Sequence, residues 1–209
     1  MQINDLYTFV AAMTLLTVTP GLDTVLVIRN TSRGGKVDGY ITSLGICLGL
    51  FVHATWSAIG VAAVISQSPS LFNGIKLVGA AYLCWLGLSG IRSLRNGSSS
   101  FNMEANTKSV SRLTSIKEGF LSNVLNPKTA VFYLAFLPQF IDQSGNLWLQ
   151  SMLLAFIHFC LAMLWQCGLA STLDKAKAWL SNGRTNYRLQ MCSSVVLVAL
   201  GVLLVVESL

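Results

Sequence analysis

Two long apolar segments of the chain are each interrupted near the middle by a proline with polar neighbours, Thr19-Pro20-Gly21-Leu22-Asp23 in the first half and Asn126-Pro127-Lys128-Thr129 in the second. Within hydrocarbon, a proline frees backbone groups that lipid cannot satisfy. Such a break is tolerated only where it is buried in protein or lines a cavity. Breaks at matching places in two halves are the pattern of a transporter whose substrate site lies at the repeat interface.

Composition places those segments in a membrane. Hydrophobic residues make up 53% of the chain and charged residues 11%, with a mean hydropathy of +0.62; soluble domains carry roughly 25% charge. Apolar runs of about twenty residues recur along all 209 residues and leave no stretch for a separate soluble module. The fold class expected is an all-α membrane protein of one domain, residues 1–209. Six spans are placed: Leu6 to Ile28, Gly39 to Ile65, Leu71 to Leu94, Gly119 to Ile141, Trp148 to Ser171 and Gln190 to Val206. Each can cross a core of about 30 Å at 1.5 Å per residue. The polar run Asn96-Gly97-Ser98-Ser99-Ser100 divides three helices from three. Repeat one is then residues 1–95, the linker 96–107 and repeat two 108–209, a 3+3 inverted repeat with proline-broken helices 1 and 4.

The five cysteines (Cys47, Cys84, Cys160, Cys167, Cys192) all fall in apolar runs, and none has the spacing to His of a zinc site, so they read as buried small hydrophobes. The start, Met1-Gln2-Ile3-Asn4-Asp5, lacks the basic region and cleavage site of a signal peptide, so the first segment is expected to remain in the mature protein.

Orientation follows from Lys and Arg. The first loop holds Arg29, Arg33 and Lys36; the third holds Arg92, Arg95, Lys108, Arg112 and Lys117; the fifth holds Lys175, Lys177, Arg184 and Arg188. Only Lys76 and Lys128 of the fourteen basic residues lie elsewhere. The positive-inside bias puts these three loops in the cytoplasm and both termini outside. The net charge of +6 is thus a topology signal, not the footprint of a nucleic acid.

At each break a cap residue precedes proline at the expected first helical position, Thr19 before Pro20 and Asn126 before Pro127. Each broken span is then two half-helices, the second turning unpaired N–H groups and a positive dipole end into the membrane. Both prolines lie about nine residues, roughly 13 Å, from the cytoplasmic end of their span, close to the midplane. Asp23 and Lys128 are the only carboxylate and amine placed deep in the spans, where an isolated charge costs about 2.5 to 3.5 kcal/mol on insertion scales. They are expected within reach of one another at a shared polar cavity. Lys128 needs an anion: Asp23, a substrate carboxylate, or each in turn.

Polar stripes accompany the breaks. Thr19, Asp23 and Asn30 share one face, as do Ser122, Asn126, Thr129 and Tyr133; the second span aligns Thr42, Gly45, Gly49, His53, Trp56 and Gly60, and the fifth Ser151, Ala155, His158, Ala162 and Trp165. The plainer readings are a static Asp23–Lys128 pair, packing roles for His53 and His158, and close helix approach at Gly45-x-x-x-Gly49. Tyr40, Trp148, Trp179 and Tyr187 read as headgroup anchors. There is no phosphate loop, no H-E-x-x-H and no G-x-S-x-G, so nothing points to an enzyme or to ATP-driven transport. No cofactor or metal is expected.

Three segments carry a family likeness: Thr19-Pro20-Gly21-x-Asp23-Thr24; Gly79-Ala80-Ala81-Tyr82-Leu83 with Leu86-Gly87; and Gly119-Phe120-Leu121-Ser122-Asn123 running through Asn126-Pro127-Lys128 to Leu137-Pro138-Gln139-Phe140. In order and spacing the chain resembles the LysE/RhtB family of bacterial amino-acid exporters over nearly its full length. The resemblance implies an inner-membrane protein of about six spans that exports amino acids or close derivatives, by exchange for protons. The family pattern usually has a second proline where this chain has Leu22. A zwitterion suits these residues: its carboxylate fits the half-helix N-termini and Lys128, and its ammonium fits Asp23. The candidate site is therefore Asp23, Lys128, Asn126, Thr19, Asn123 and His53, with Pro20, Gly21 and Pro127 as the breaks. The partners are an amino acid, protons and the bilayer, with no nucleic acid; a homodimer is left open. The competing readings are a non-transporting scaffold or accessory subunit, and a passive channel.

Overall fold

The computed structural model describes residues 3–67, 69–95, 111–142, 144–173 and 183–206, and every regular element in them is helical. In chain order they are α1 (Ile3–Val18), α2 (Leu22–Gln67), α3 (Pro69–Arg95), α4 (Arg112–Val124), α5 (Pro127–Ala135), a 3-10 turn (Leu137–Phe140), α6 (Leu147–Ser171) and α7 (Gly183–Val206). The linker expected over 96–107, with Lys108, and the segment holding Lys175, Lys177 and Trp179 lie outside the described residues.

Local chemistry sets several helix starts. Ser111 caps α4 by accepting from the Thr114 N–H, Asn126 caps α5 with Pro127 at the first helical position, and Asn146 caps α6 by accepting from the Leu149 N–H. Helix α2 folds back on itself at Gly35, where φ is 78° and ψ −174°. A residue with a Cβ resists that conformation. A Cβ on the neighbouring Gly34 would lie 2.6 Å from Asp38 Oδ2, so the elbow needs a glycine there as well.

This elbow corrects one expectation. Residues 29–34 remain helical and do not form a loop, and the connection shrinks to the turn at Gly35. The reason is charge compensation. Arg29 Nη2 meets Glu118 Oε2 at 2.8 Å, Arg33 reaches the same carboxylate at 3.2 Å, and Arg33 Nε donates to Asp38 Oδ2 across the elbow at 3.1 Å. Asn30 adds a bond from Nδ2 to Glu118 Oε2 at 2.8 Å, and Ser115 donates to Asp38 Oδ1. Cations paired in this way no longer force the helix to end in water.

Glycines fix how the helices meet. A Cβ on Gly45 would collide with the Ile116 carbonyl oxygen, and one on Gly119 with that of Thr42, so α2 and α4 cross with their backbones in contact. Gly87 and Gly201 do the same for α3 and α7, against Ser194 and Ala80. Helix α6 packs on α2, its Ala170 Cβ lying 2.8 Å from where a Gly39 Cβ would stand. Close approach through small residues is the usual means of joining helices in lipid, where burial of apolar surface offers little drive.

Polarity is distributed from the inside outwards. Asn30, Thr42, Ser43, His53, Ser57, Ser115, Asn123 and Ser151 are buried, while Leu164 is 74% exposed and Trp56 50%. In water that arrangement would fail; against acyl chains it is expected. By length and composition, two helical stretches among the described residues suffice to cross a hydrocarbon core, Leu22–Gly60 and Leu147–Ser171, with shorter apolar stretches at Leu6–Val18 and Leu77–Arg92. Away from the elbow, a cluster of rings closes the bundle: Phe9 meets Phe140 at 5.3 Å between centroids, and Phe136 meets Phe132 at 4.6 Å and Phe140 at 4.9 Å.

Candidate functional site

Where α1 gives way to α2, and α4 to α5, the helix ends surround a cavity of about 40 Å³. At the first junction Thr19 closes α1: its N–H and its hydroxyl both bond back to the Leu15 carbonyl, at 3.1 and 2.5 Å. Gly21 opens α2 by accepting from the Val25 N–H at 3.1 Å. Thr19 therefore does not cap the second half-helix, as the sequence suggests, and Pro20 lies between the helices and not at a first helical position. The hydroxyl reinforces the backbone bond on the carbonyl one turn back instead of turning forward, a competition that Ser and Thr commonly enter.

The second junction is built as expected. Asn126 Oδ1 accepts from the Lys128 N–H at 3.0 Å, Pro127 starts α5, and the Asn126 N–H returns to the Asn123 carbonyl at 2.9 Å.

The cavity brings together Thr19, Gly21, Asp23, Asn123, Asn126 and Lys128. Asp23 is held by neutral donors: Ser122 Oγ donates to Oδ1 at 3.2 Å, and Asn123 and Asn126 Nδ2 to Oδ2 at 3.1 and 3.5 Å. The Lys128 ammonium extends to the first junction, 3.2 Å from where a Gly21 Cβ would stand. Asp23 and Lys128 form no ion pair within 4 Å, so they face one cavity without closing on each other. A carboxylate and an ammonium separated by a small void have the charges that complement the two ends of a zwitterion.

His53 stands outside the cavity wall. Its Nε2 donates to the Asn123 carbonyl at 2.9 Å, so it steadies the end of α4 from behind. His158, which the sequence offered as a packing residue, lines the cavity, bonded through Nε2 to Thr17 Oγ1 and through Nδ1 to the Tyr133 hydroxyl, both at 3.0 Å. Gln166 of α6 lines it too and is 5% exposed, and its side-chain oxygen has no hydrogen-bond partner. Sequence reasoning missed this residue. The signal available was its place at i+8 from His158 and i+4 from Ala162. The buried Asn123 Oδ1 also lacks a partner and lies against Gly49, 2.7 Å from where a Cβ there would stand.

The family described as LysE type translocators matches residues 14–208. An uncharacterised membrane protein of Bacillus subtilis, YrhP, is 35% identical over 205 residues, covering 95% of this chain and 97% of its own length. A leucine efflux protein of an Enterobacter species is 31% identical over 145 residues, 68% of this chain and 66% of its own. A homoserine/homoserine lactone efflux protein of Salmonella typhi is 27% identical over 198 residues, 95% and 94% of the two chains. No solved structure matches the chain.

Proposed function

The chain belongs to the family of LysE type translocators, membrane transporters and not enzymes, and from that premise we propose that it exports amino acids or close derivatives across the bacterial inner membrane in exchange for protons. The observation that carries this reading is the unclosed pair: Asp23 bonded only to neutral donors, and Lys128 beside Gly21, in one cavity. The substrate ammonium binds Asp23, and its carboxylate binds Lys128 and the N-terminal end of α5. Protonation of Asp23 from outside weakens its hold on the ammonium, and release of that proton to the cytoplasm readies the site for the next substrate. His53 holds the Asn123 carbonyl so that the Asn123 amide stays on Asp23.

The architecture proposed with it is six spans in two inverted repeats, residues 1–95 and 108–209, joined by the linker 96–107, with both termini outside. Helices α1 and α4 would each be the first part of a broken span. The packing supports this: α6 lies on the first repeat as α2 lies on α4, and α3 pairs with α7. A cysteine introduced at Ser99 in a cysteine-free background is expected to label only after the membrane is permeabilised, and labelling in intact spheroplasts would reverse the orientation.

The deciding experiment loads vesicles with individual amino acids and follows efflux with and without a pH gradient. Export accelerated by the gradient is expected. A scaffold gives no export, and a passive channel gives export that the gradient leaves unchanged.

A further inference from the structure

The cavity has one polar wall that the charged ends of a zwitterion do not use. On α6, His158, Ala162 and Gln166 face it in succession, two helical turns or about 12 Å from first to last. At one end of this row His158 has a partner on each ring nitrogen. At the other end the Gln166 side-chain oxygen has none, although the residue is 95% buried. Exchanging the ends of the amide leaves the other polar atom in that position. A buried amide oxygen without a partner is costly.

Gln166 lies one turn before Ala170, which packs beside Gly39 near the Gly35 elbow, so it occupies the elbow end of the cavity. Asp23 and Lys128 project from α2 and α5. An α-amino acid carries its ammonium and carboxylate close together about one carbon. Once these two groups are engaged, its third substituent is left for the remaining wall. Thr24 and Ile46 belong to the same lining, and a hydroxyl or amide that reaches Gln166 meets an acceptor, while an alkyl group strands it.

We propose that Gln166 reads the side chain of the exported amino acid and that the preferred substrates carry a hydroxyl or amide there. This rests on the export reading above and specifies its substrate class. Discrimination of this kind is asymmetric, because a site that needs a hydrogen bond rejects the isostere lacking one much more strongly than an apolar pocket rejects an added hydroxyl.

The test compares shape-matched pairs, threonine against valine and asparagine against leucine, by efflux from loaded vesicles. In the wild type the polar member of each pair is expected to leave about tenfold to a hundredfold faster at equal low loading. Gln166→Met keeps the length and removes both polar atoms, and it is expected to bring each ratio near one by slowing the polar members and speeding the apolar ones, at unchanged membrane abundance. Gln166→Leu gives the same reading if the methionine variant inserts poorly, and the wild-type ratios need no variant at all. Equal export of both members by the wild type overturns the inference while leaving the export reading intact. So does a uniform loss for all four in the variants, which would assign Gln166 to the ammonium or to packing. Export of no amino acid at all removes the parent reading and this one with it.

Discussion

The two helix interruptions that build the cavity solve the same problem by opposite means. Between α1 and α2 the chain uses absence: a proline without an N–H, and a glycine whose missing Cβ leaves room for the Lys128 ammonium. Between α4 and α5 it uses side chains: Asn126 caps the new helix with its oxygen and donates to Asp23 with its nitrogen, and Asn123 and Ser122 donate beside it. The first junction thus contributes a carboxylate and space, and the second contributes donors and a cation. Each lacks what the other supplies, so the site exists only where the halves meet.

The substitution that strikes hardest at this division is Asp23→Asn, which keeps size and hydrogen bonding but cannot titrate. Gradient-driven efflux is expected to vanish while the protein remains abundant in the membrane. If the pair were only structural, the result would instead be poor abundance, because stranding one partner of a buried pair costs about 3 to 5 kcal/mol. Asp23→Asn combined with Lys128→Gln separates the cases further: no export is expected from the double variant, and normal export would clear both residues. Next in size is Gly21→Val, whose side chain would take the space of the Lys128 ammonium. Efflux is expected to fall at least tenfold, whereas Gly21→Ala, meeting that ammonium at 3.2 Å, shows a smaller loss. Asn126→Ala removes a cap worth about 1 kcal/mol and a donor to Asp23 together, so both thermal stability in detergent and efflux are expected to drop modestly. The smallest effect belongs to Leu22→Pro. Leu22 is the first residue of α2, a position that accepts proline, so the change is expected to be neutral or stabilising by about 0.4 to 1 kcal/mol. A large loss there would show that the first junction needs an N–H at that point.

The same contrast explains what could be read from the sequence. Asn126-Pro127 is a local signal, cap and first-turn proline together, and the helix starts there as the residues dictate. Thr19-Pro20 looks identical in one dimension, but Thr19 turned its hydroxyl to the carbonyl four residues back and closed the preceding helix. Which helix end a hydroxyl serves is settled by competition that spacing does not display. Arg29 and Arg33 read as loop residues because charges end spans, and their helix became tolerable where Glu118 from the second half and Asp38 across the elbow met them. Gly45-x-x-x-Gly49 was legible, since small residues one turn apart mean close approach in any bundle. Gln166 was not, because a single amide in an apolar run gains meaning only when the neighbours that fail to pair with it are known.

The size of the cavity has a thermodynamic consequence. It holds roughly three water molecules, so an amino acid with a sizeable side chain does not fit it as it stands. A substrate therefore enters only a wider form of the protein, and its apparent affinity is its intrinsic affinity reduced by the fraction of time that form exists. A substitution that props the helices apart would then strengthen binding without adding a single contact. It would do so at the expense of turnover, since a protein held wide at rest has less distance to travel when the substrate arrives and less reason to close behind it.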